Sequence, residues 1–404
     1  MKTTCRVGVG TRKITPSLAE LINPVESFVA GQPDIAAKLA DWHPGKHWHD
    51  TSFKAIHDDL FVRTLVLDDG LRKVVLVTLD IQNTAFALAM RAKIVVVTGL
   101  EHDAIFLCPS HTHTAPSNKE TAYWNRVTDE VAGSVADALA TLQPAVLGLA
   151  CGEAPFNRNR LAVVDGQGLM TSYATVAQLE GFTGPIDREL LVFAFRTPAG
   201  KPLALLYNYT AHPTLMFASG QISADWPGEV ARRVEPDFGA PVLFINGAIG
   251  DAEPVDKEFG DAAMARMGAR VAGRILELVP RVDCRETLSL AYAWDRMAWS
   301  ERQTWRVGAL RLADDIAFAH CPCELFNALG VEIKKRSPFA RTFVALGRSN
   351  NKNDGGTYVA DRRGLEIGSY GAEGWRSPLW GDMFVEKSLE LLERVRVADS
   401  RMIE

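Results

Sequence analysis

The 404-residue sequence predicts an α/β fold, a mixed β-sheet core flanked by helices, and three observations point to it. Short apolar runs bounded by turn residues recur at strand length, among them Ala104-Ile-Phe-Leu-Cys108 and Pro241-Val-Leu-Phe-Ile245. Between them lie stretches with apolar residues at helical spacing, such as Thr128 to Leu142 and Asp261 to Leu278. The order strand, polar loop, helix, strand occurs at Ala104 to Cys151 and again at Pro241 to Ala293, which suggests a pseudo-repeat of two half-domains without residue-level identity. No Ser/Pro/Gly-rich linker divides the chain, so residues 1–404 are expected to form one domain.

Taken in order, Arg6-Val-Gly-Val-Gly10 alternates like a strand before the turn-like Ile14-Thr-Pro16. The segment Pro33 to Asp59 is rich in Trp and His, and reads either as a cover over a cleft or as an ordered surface loop. Strands are expected at Leu60 to Leu67, Lys73 to Asp80 and Ala104 to Cys108, with a helix from Thr84 to Val97. The helix Thr128 to Leu142 begins on Thr-Asp-Glu and stops before Pro144, and Val146 to Cys151 follows as a strand. Leu190 to Phe195 and Leu203 to Tyr209 flank the hairpin-like Thr197-Pro-Ala-Gly-Lys-Pro202. Further on come the strand Pro241 to Ile245, the loop Asn246 to Asp251, the helix Asp261 to Leu278 and a strand from Leu288 to Ala293. The chain closes with a strand at Phe343 to Leu346, a Gly/Asn-rich loop from Ser349 to Gly356 and a helix from Asp382 to Val395.

A hydrophobic content of 47% suffices for a large core. The net charge of -5, from 44 basic and 49 acidic residues with no long run of either sign, argues against nucleic acid or an anionic membrane as partner. Six scattered cysteines read as reduced and mostly buried; the close pair Cys321-Pro-Cys323 lacks zinc-knuckle spacing. The first residues lack the apolar core of a secretory signal, and no segment has the length of charge-free apolar sequence that a membrane span needs. A cytoplasmic protein without membrane insertion is the expectation, with homo-oligomerisation left open.

The chemistry-bearing residues sit where apolar strands give way to Pro-containing turns, a common place for sites in α/β folds. His111 and His113 follow the strand ending at Cys108, and neutral imidazole is a common zinc ligand. Alone, His-x-His is a weak signal that reads more readily as two hydrogen-bonded structural histidines. His212 ends Leu205-Leu-Tyr-Asn-Tyr-Thr-Ala-His212 in the same way. Ser223, before a helix, is either an N-cap or a nucleophile, though no G-x-S-x-G elbow surrounds it. Arg158 and Arg160 form either a solvated turn or a loop suited to carboxylate or phosphate. Asp251 and Glu253 are a possible second cation site or turn residues, and Asp80 either orients a ligand histidine or satisfies backbone donors.

Several motifs carry a resemblance. Gly10 with Ile14-Thr-Pro16, Ile56-His-Asp-Asp-Leu60, Ser110-His-Thr-His-Thr-Ala-Pro116, Asn159-Arg160, Asn208-Tyr-Thr-Ala-His-Pro213, Ser223-Ala-Asp225 and Asn246-Gly-Ala-Ile-Gly-Asp-Ala-Glu-Pro254 occur in the order of the neutral/alkaline ceramidases. The chain resembles the catalytic domain of that family nearly end to end. The resemblance implies that fold and a zinc-dependent amidase. Its ligands fall on His111 and His212, then on Glu324 in a segment similar to the family's Pro-Gly-Glu, and on Tyr358 in Thr357-Tyr358-Val359. It implies a proton-transfer role for His113, a substrate-facing role for Tyr370, substrate or oxyanion contact for Arg160, and for Ser223 either attack or orientation of water.

The sequence also departs from the family's pattern. The secretion signal and C-terminal β-sandwich domain of the family are not in this sequence, Ala224-Asp225-Trp226 replaces Gly-Asp-Asn, and Ala115-Pro-Ser117 replaces Gly-Pro-Gly. Added bulk beside the pocket points to a small soluble amide rather than membrane-bound ceramide. An ester or lactone substrate is a close variant, and a non-catalytic metal-binding protein is the alternative from another class. Trp124, Trp226, Trp375 and Trp380 either line a compact cleft or belong to the core.

Overall fold

The structure, a computed structural model, describes residues 5–21, 53–116, 121–164, 167–170, 181–182, 184–217, 219–256, 258–285, 288–300, 303–351, 353–369, 371–372 and 379–398. Strands Arg6–Lys13 (β1), Phe61–Asp68 (β2) and Lys73–Leu79 (β3) lead to helix Ala87–Thr98 (α1), strand Ile105–Pro109 (β4) and helix Thr121–Ala140 (α2). Next come Val146–Glu153 (β5), Glu189–Arg196 (β6), Pro202–Tyr209 (β7), helix Asp225–Phe238 (α3), Val242–Asn246 (β8) and helix Asp261–Leu278 (α4). The same succession then recurs as Ala291–Ser300 (β9), Gln303–Ala313 (β10), Ile316–Cys321 (β11), helix Asn327–Arg336 (α5), Arg341–Leu346 (β12) and helix Leu379–Val397 (α6).

These sets build three sheets with one topology. In each, three strands pair antiparallel in chain order, and the third pairs in parallel with the fourth, which follows a crossover helix: β3 with β4, β7 with β8, β11 with β12. The strand, loop, helix, strand order seen in the sequence is present as β4–α2–β5 and β8–α4–β9, and the set begins a third time at β12–α6. Short strands at Gln143–Pro144 and Asp283–Arg285 even add to the outer edges of the first two sheets in equivalent places.

Period-two alternation explains how the sheets assemble. One face of each sheet contributes to a shared cluster: Val74, Leu76 and Phe106 from the first, Leu191, Phe193 and Ile245 from the second, Leu310, Phe318 and Phe343 from the third. The residues between them face outward onto helix pairs. Val75 and Val77 meet Met90 and Trp124, Val192 and Phe244 meet Trp226 and Val271, and Ala319 and Val344 meet Ile333 and Leu391. Truncating Phe193 or Phe318 would open a cavity where three sheets meet, at about 3–5 kcal/mol. Strands β4, β8 and β12 lie at the edges of their sheets and touch one another at the centre, so each open edge is covered. Among the described residues no helix is long and apolar enough to cross a membrane.

Differences from the sequence reading have local causes. Helix α2 begins at Thr121, not Thr128, because Tyr123, Trp124 and Val127 continue its buried stripe; the Thr128 hydroxyl donates back to the Trp124 carbonyl (2.9 Å) in place of capping. Strand β9 starts at Ala291, three residues after the expected Leu288. Strand β10 was not expected, since it is buried along both faces and Arg306 and Arg311 interrupt its apolar pattern. A Cβ on Gly10 would stand 2.0 Å from the Ser134 carbonyl oxygen, so glycine lets β1 lie directly on the α2 backbone.

Candidate metal centre

The carboxyl ends of all three parallel pairs converge on one place. The β3 end supplies Gln82, β4 supplies His111 and His113, β7 His212, β8 Asn246, β11 Glu324 and β12 Arg348. His111 and His212 are fully buried and Glu324 is 1% exposed. His111 adopts a left-handed backbone (φ 73), which turns its side chain into the cleft directly after β4 and carries the strain common at functional positions.

Lone-pair direction gives the site its character. His111 Nδ1 donates to the Gln82 carbonyl (2.5 Å) and His212 Nδ1 to the Ala252 carbonyl (2.9 Å). A carbonyl only accepts, so each Nδ1 carries a proton, which in the neutral imidazole leaves the lone pair on Nε2. Those lone pairs aim at Glu324 Oε2, 3.4 Å from His111 Nε2 and 3.1 Å from His212 Nε2. Burial would raise the Glu324 carboxyl, but the Arg348 guanidinium, 2.5 Å away, helps to hold the group ionised well below the usual carboxylate range. Burial, then the Arg160 charge, pushes His212 down to about 3, so it stays neutral. With the imidazoles neutral, His111 Nε2, His212 Nε2 and Glu324 Oε2 face one another out of water, an arrangement that a divalent cation satisfies and that fits the donor set of a zinc site.

His113 stands beside this set with its Nε2 3.2 Å from His111 Nε2 and its Nδ1 3.4 Å from the Gln82 side-chain nitrogen. Burial and the imidazoles of His111 and His212 keep it well below the ordinary histidine range. Ligand atoms of His111, His113 and His212 all lie within 4.8 Å of one another, so this trio by itself can hold a metal. Glu324 also pairs in parallel register with Tyr358 through the short strands Glu324–Leu325 and Tyr358–Val359. Arg160 Nη2 donates to the Tyr358 hydroxyl (3.1 Å) and to the Gly250 carbonyl (2.6 Å). The structure thus brings His111, His113, His212, Glu324, Tyr358 and Arg160 together; Tyr370 lies outside the described residues.

Ser223 is held one layer out. Its carbonyl accepts from Thr112 Oγ1 (2.8 Å) and Thr114 Oγ1 (2.9 Å), strapping it to the histidine loop. Its hydroxyl donates to Asp58 Oδ2 (2.5 Å) and accepts from the Asp225 backbone N–H (2.9 Å) at the start of α3. Asp251 is occupied by protein donors: Oδ1 accepts from the Asn327 N–H (2.5 Å) and Oδ2 from Asn159 Nδ2 (2.7 Å). Glu253 pairs with Arg158 (2.7 Å). Protein donors account for both carboxylates, so the second cation expected near Asp251 has no ligand set drawn up for it. Asp80 accepts from the Phe61 N–H and Arg63 and orients neither ligand histidine, whose Nδ1 partners are backbone carbonyls. Trp124 and Trp226 are fully buried core residues, and Trp375 lies outside the described residues.

Two residues gained roles that the sequence reading did not assign. Asn246 Nδ2 donates to the Ser110 carbonyl (3.0 Å) and the Ala211 carbonyl (3.1 Å), tying together the residues immediately before His111 and His212. It stood in a recognised motif, but its partners are distant in sequence. Arg348 Nε lies 2.5 Å from Glu324 Oε1, leaving Oε2 turned toward the histidines.

No family model and no curated protein sequence matches the chain. Its fold matches a neutral ceramidase from Pseudomonas aeruginosa with a TM-score of 0.75 at 16% identity, covering 100% of this chain and 77% of that one. A ceramidase complexed with C2 matches with a TM-score of 0.71 at 17% identity and the same coverage. With identity this low the likeness is one of architecture, and the chain has the mixed α/β fold of neutral ceramidase over its whole length.

Proposed function

We propose that residues 1–404 form one catalytic unit, a zinc-dependent hydrolase that cleaves the amide (N-acyl) bond of a small soluble substrate. The observation that carries the reading is the convergence of His111 Nε2, His212 Nε2 and Glu324 Oε2, one from the end of each of the three parallel pairs. The fold likeness to neutral ceramidase supports the reaction class. His111, His212 and Glu324 would hold the ion, and Tyr358, the register neighbour of Glu324, would complete the set. When bound, zinc would supply a Lewis acid for the acyl oxygen and water acidified to a pKa of about 7.

The remaining work falls to the chain. His113 is close enough to take the proton of the attacking water and pass it to the departing amine. Arg160 fixes the Tyr358 hydroxyl and, with Tyr370, would meet the developing oxyanion. Ser223, its hydroxyl committed to Asp58 and to the Asp225 N–H, would position the histidine loop and orient water. Metal analysis of the purified protein, with a screen of N-acyl compounds, esters and lactones, tests the reading. His111→Ala is expected to lose both metal and hydrolysis; full metal stoichiometry in that variant, or equal turnover by metal-free wild type, overturns it.

A further inference from the structure

Arg348 leaves the carboxyl end of β12 with only 8% of its surface exposed. Its carbonyl accepts from the Thr84 N–H (2.9 Å) and the Thr84 hydroxyl (3.0 Å), and the next residue, Ser349, donates from Oγ to the Thr84 carbonyl (3.2 Å). The backbone is therefore clamped and the side chain preorganised. Nε touches Glu324 Oε1 at 2.5 Å but off the N–H line, so that contact is ionic rather than a hydrogen bond. Nη1 is buried with no partner among the described residues. A charged donor left without an acceptor is unfavourable, and beside a hydrolytic site the missing acceptor can come from the substrate.

Resting on the hydrolase reading of this site, we propose that Arg348 binds a carboxylate of the substrate, so that the preferred substrates are amides carrying a carboxylate within a few bonds of the scissile bond. The short distance follows from geometry: a single carboxylate, that of Glu324, separates this guanidinium from the histidine Nε2 atoms. Charge agrees with it. Arg348 and Arg160 outnumber Glu324 around the cleft, and a divalent ion would add to the surplus, which favours an anion over a neutral amide. A planar guanidinium suits the planar carboxylate.

The acid can sit on either half of the amide, and paired probes separate the two. N-acetylglycine against N-acetylglycinamide places it on the amine half; N-methylsuccinamate against N-methylsuccinamide places it on the acyl half. Wild type is expected to prefer the acid of at least one pair by about 100-fold in kcat/KM, and Arg348→Leu to collapse that ratio to near unity. Arg348→Lys should retain part of it. Calorimetric binding of the same probes to metal-free protein gives a readout independent of turnover: acid-selective binding lost in Arg348→Leu upholds the proposal even if no amide is cleaved. Equal falls for acid and neutral probe would show that Arg348 only orients Glu324, and would overturn it. So would wild-type affinities that do not distinguish acid from amide, or no detectable binding of any probe.

Discussion

Two buried charged clusters in this molecule look alike by composition and differ in function. At one, His111, His212 and Glu324 converge. At the other, beneath β9 and β10, Arg91 pairs with Asp354 (3.1 Å), Arg306 pairs with Asp103 (2.6 Å) and lies 3.6 Å over Trp294, and His320 Nε2 donates to the Leu107 carbonyl (3.2 Å). Burial pushes His212 and His320 alike down to about 3, so neither burial nor the lowered pKa distinguishes them. Direction does. In the arginine cluster each guanidinium pairs with a carboxylate and the charges close on themselves; at the histidine site two imidazole nitrogens and a carboxylate oxygen point at one another, a set that an added cation would satisfy.

The sharpest way to break this contrast is to remove one histidine from each side. His212→Ala should abolish bound metal and lower hydrolysis by about 10³-fold or more, whereas His320→Ala should keep metal at full stoichiometry. Metal loss in the His320 variant would show that the two clusters are not separate. Next in size, Asp354→Ala strands the Arg91 guanidinium and should cost about 3–5 kcal/mol in urea unfolding without altering metal content. Asn246→Ala tests the brace between the histidine loops, and chelator competition should show metal affinity weakened by about 10–100-fold. Unchanged affinity would mean that the loops hold themselves.

The most gradual effect, and the smallest per unit step, is a pH dependence. Because the folded state disfavours protonating His320, its neutral form stabilises fully above the ordinary value of 6.5, and that contribution is lost as pH falls toward about 3. Relative to His320→Gln, wild type should lose roughly 1 kcal/mol per pH unit across that window. Asp225 and Asp251, both raised to about 7 by burial, shift stability in the opposite sense, but they are common to both proteins and cancel in the difference. A flat difference would mean that His320 is protonated when folded.

The strand ends were legible because apolar runs stop abruptly at His111 and His212, and the motifs around them gave Glu324 and Tyr358 through resemblance. Arg348 was not legible. It follows a strand of six residues and opens a Gly/Asn-rich loop, and its partner Glu324 comes just after β11, in a sheet set whose longest strand, β10, hides its pattern behind Arg306 and Arg311. The third copy of the topology was hidden for the same reason. Asn246 shows another limit: a side chain that bridges two carbonyls from distant loops leaves no local spacing to read.

If each of the three parallel pairs lends one ligand, as proposed, no fragment holding two of them would grip the ion as the whole chain would. Metal affinity would then report on docking of the last sheet, and an ion bound only by the finished arrangement would trap the native state and withhold activity from partly folded chains.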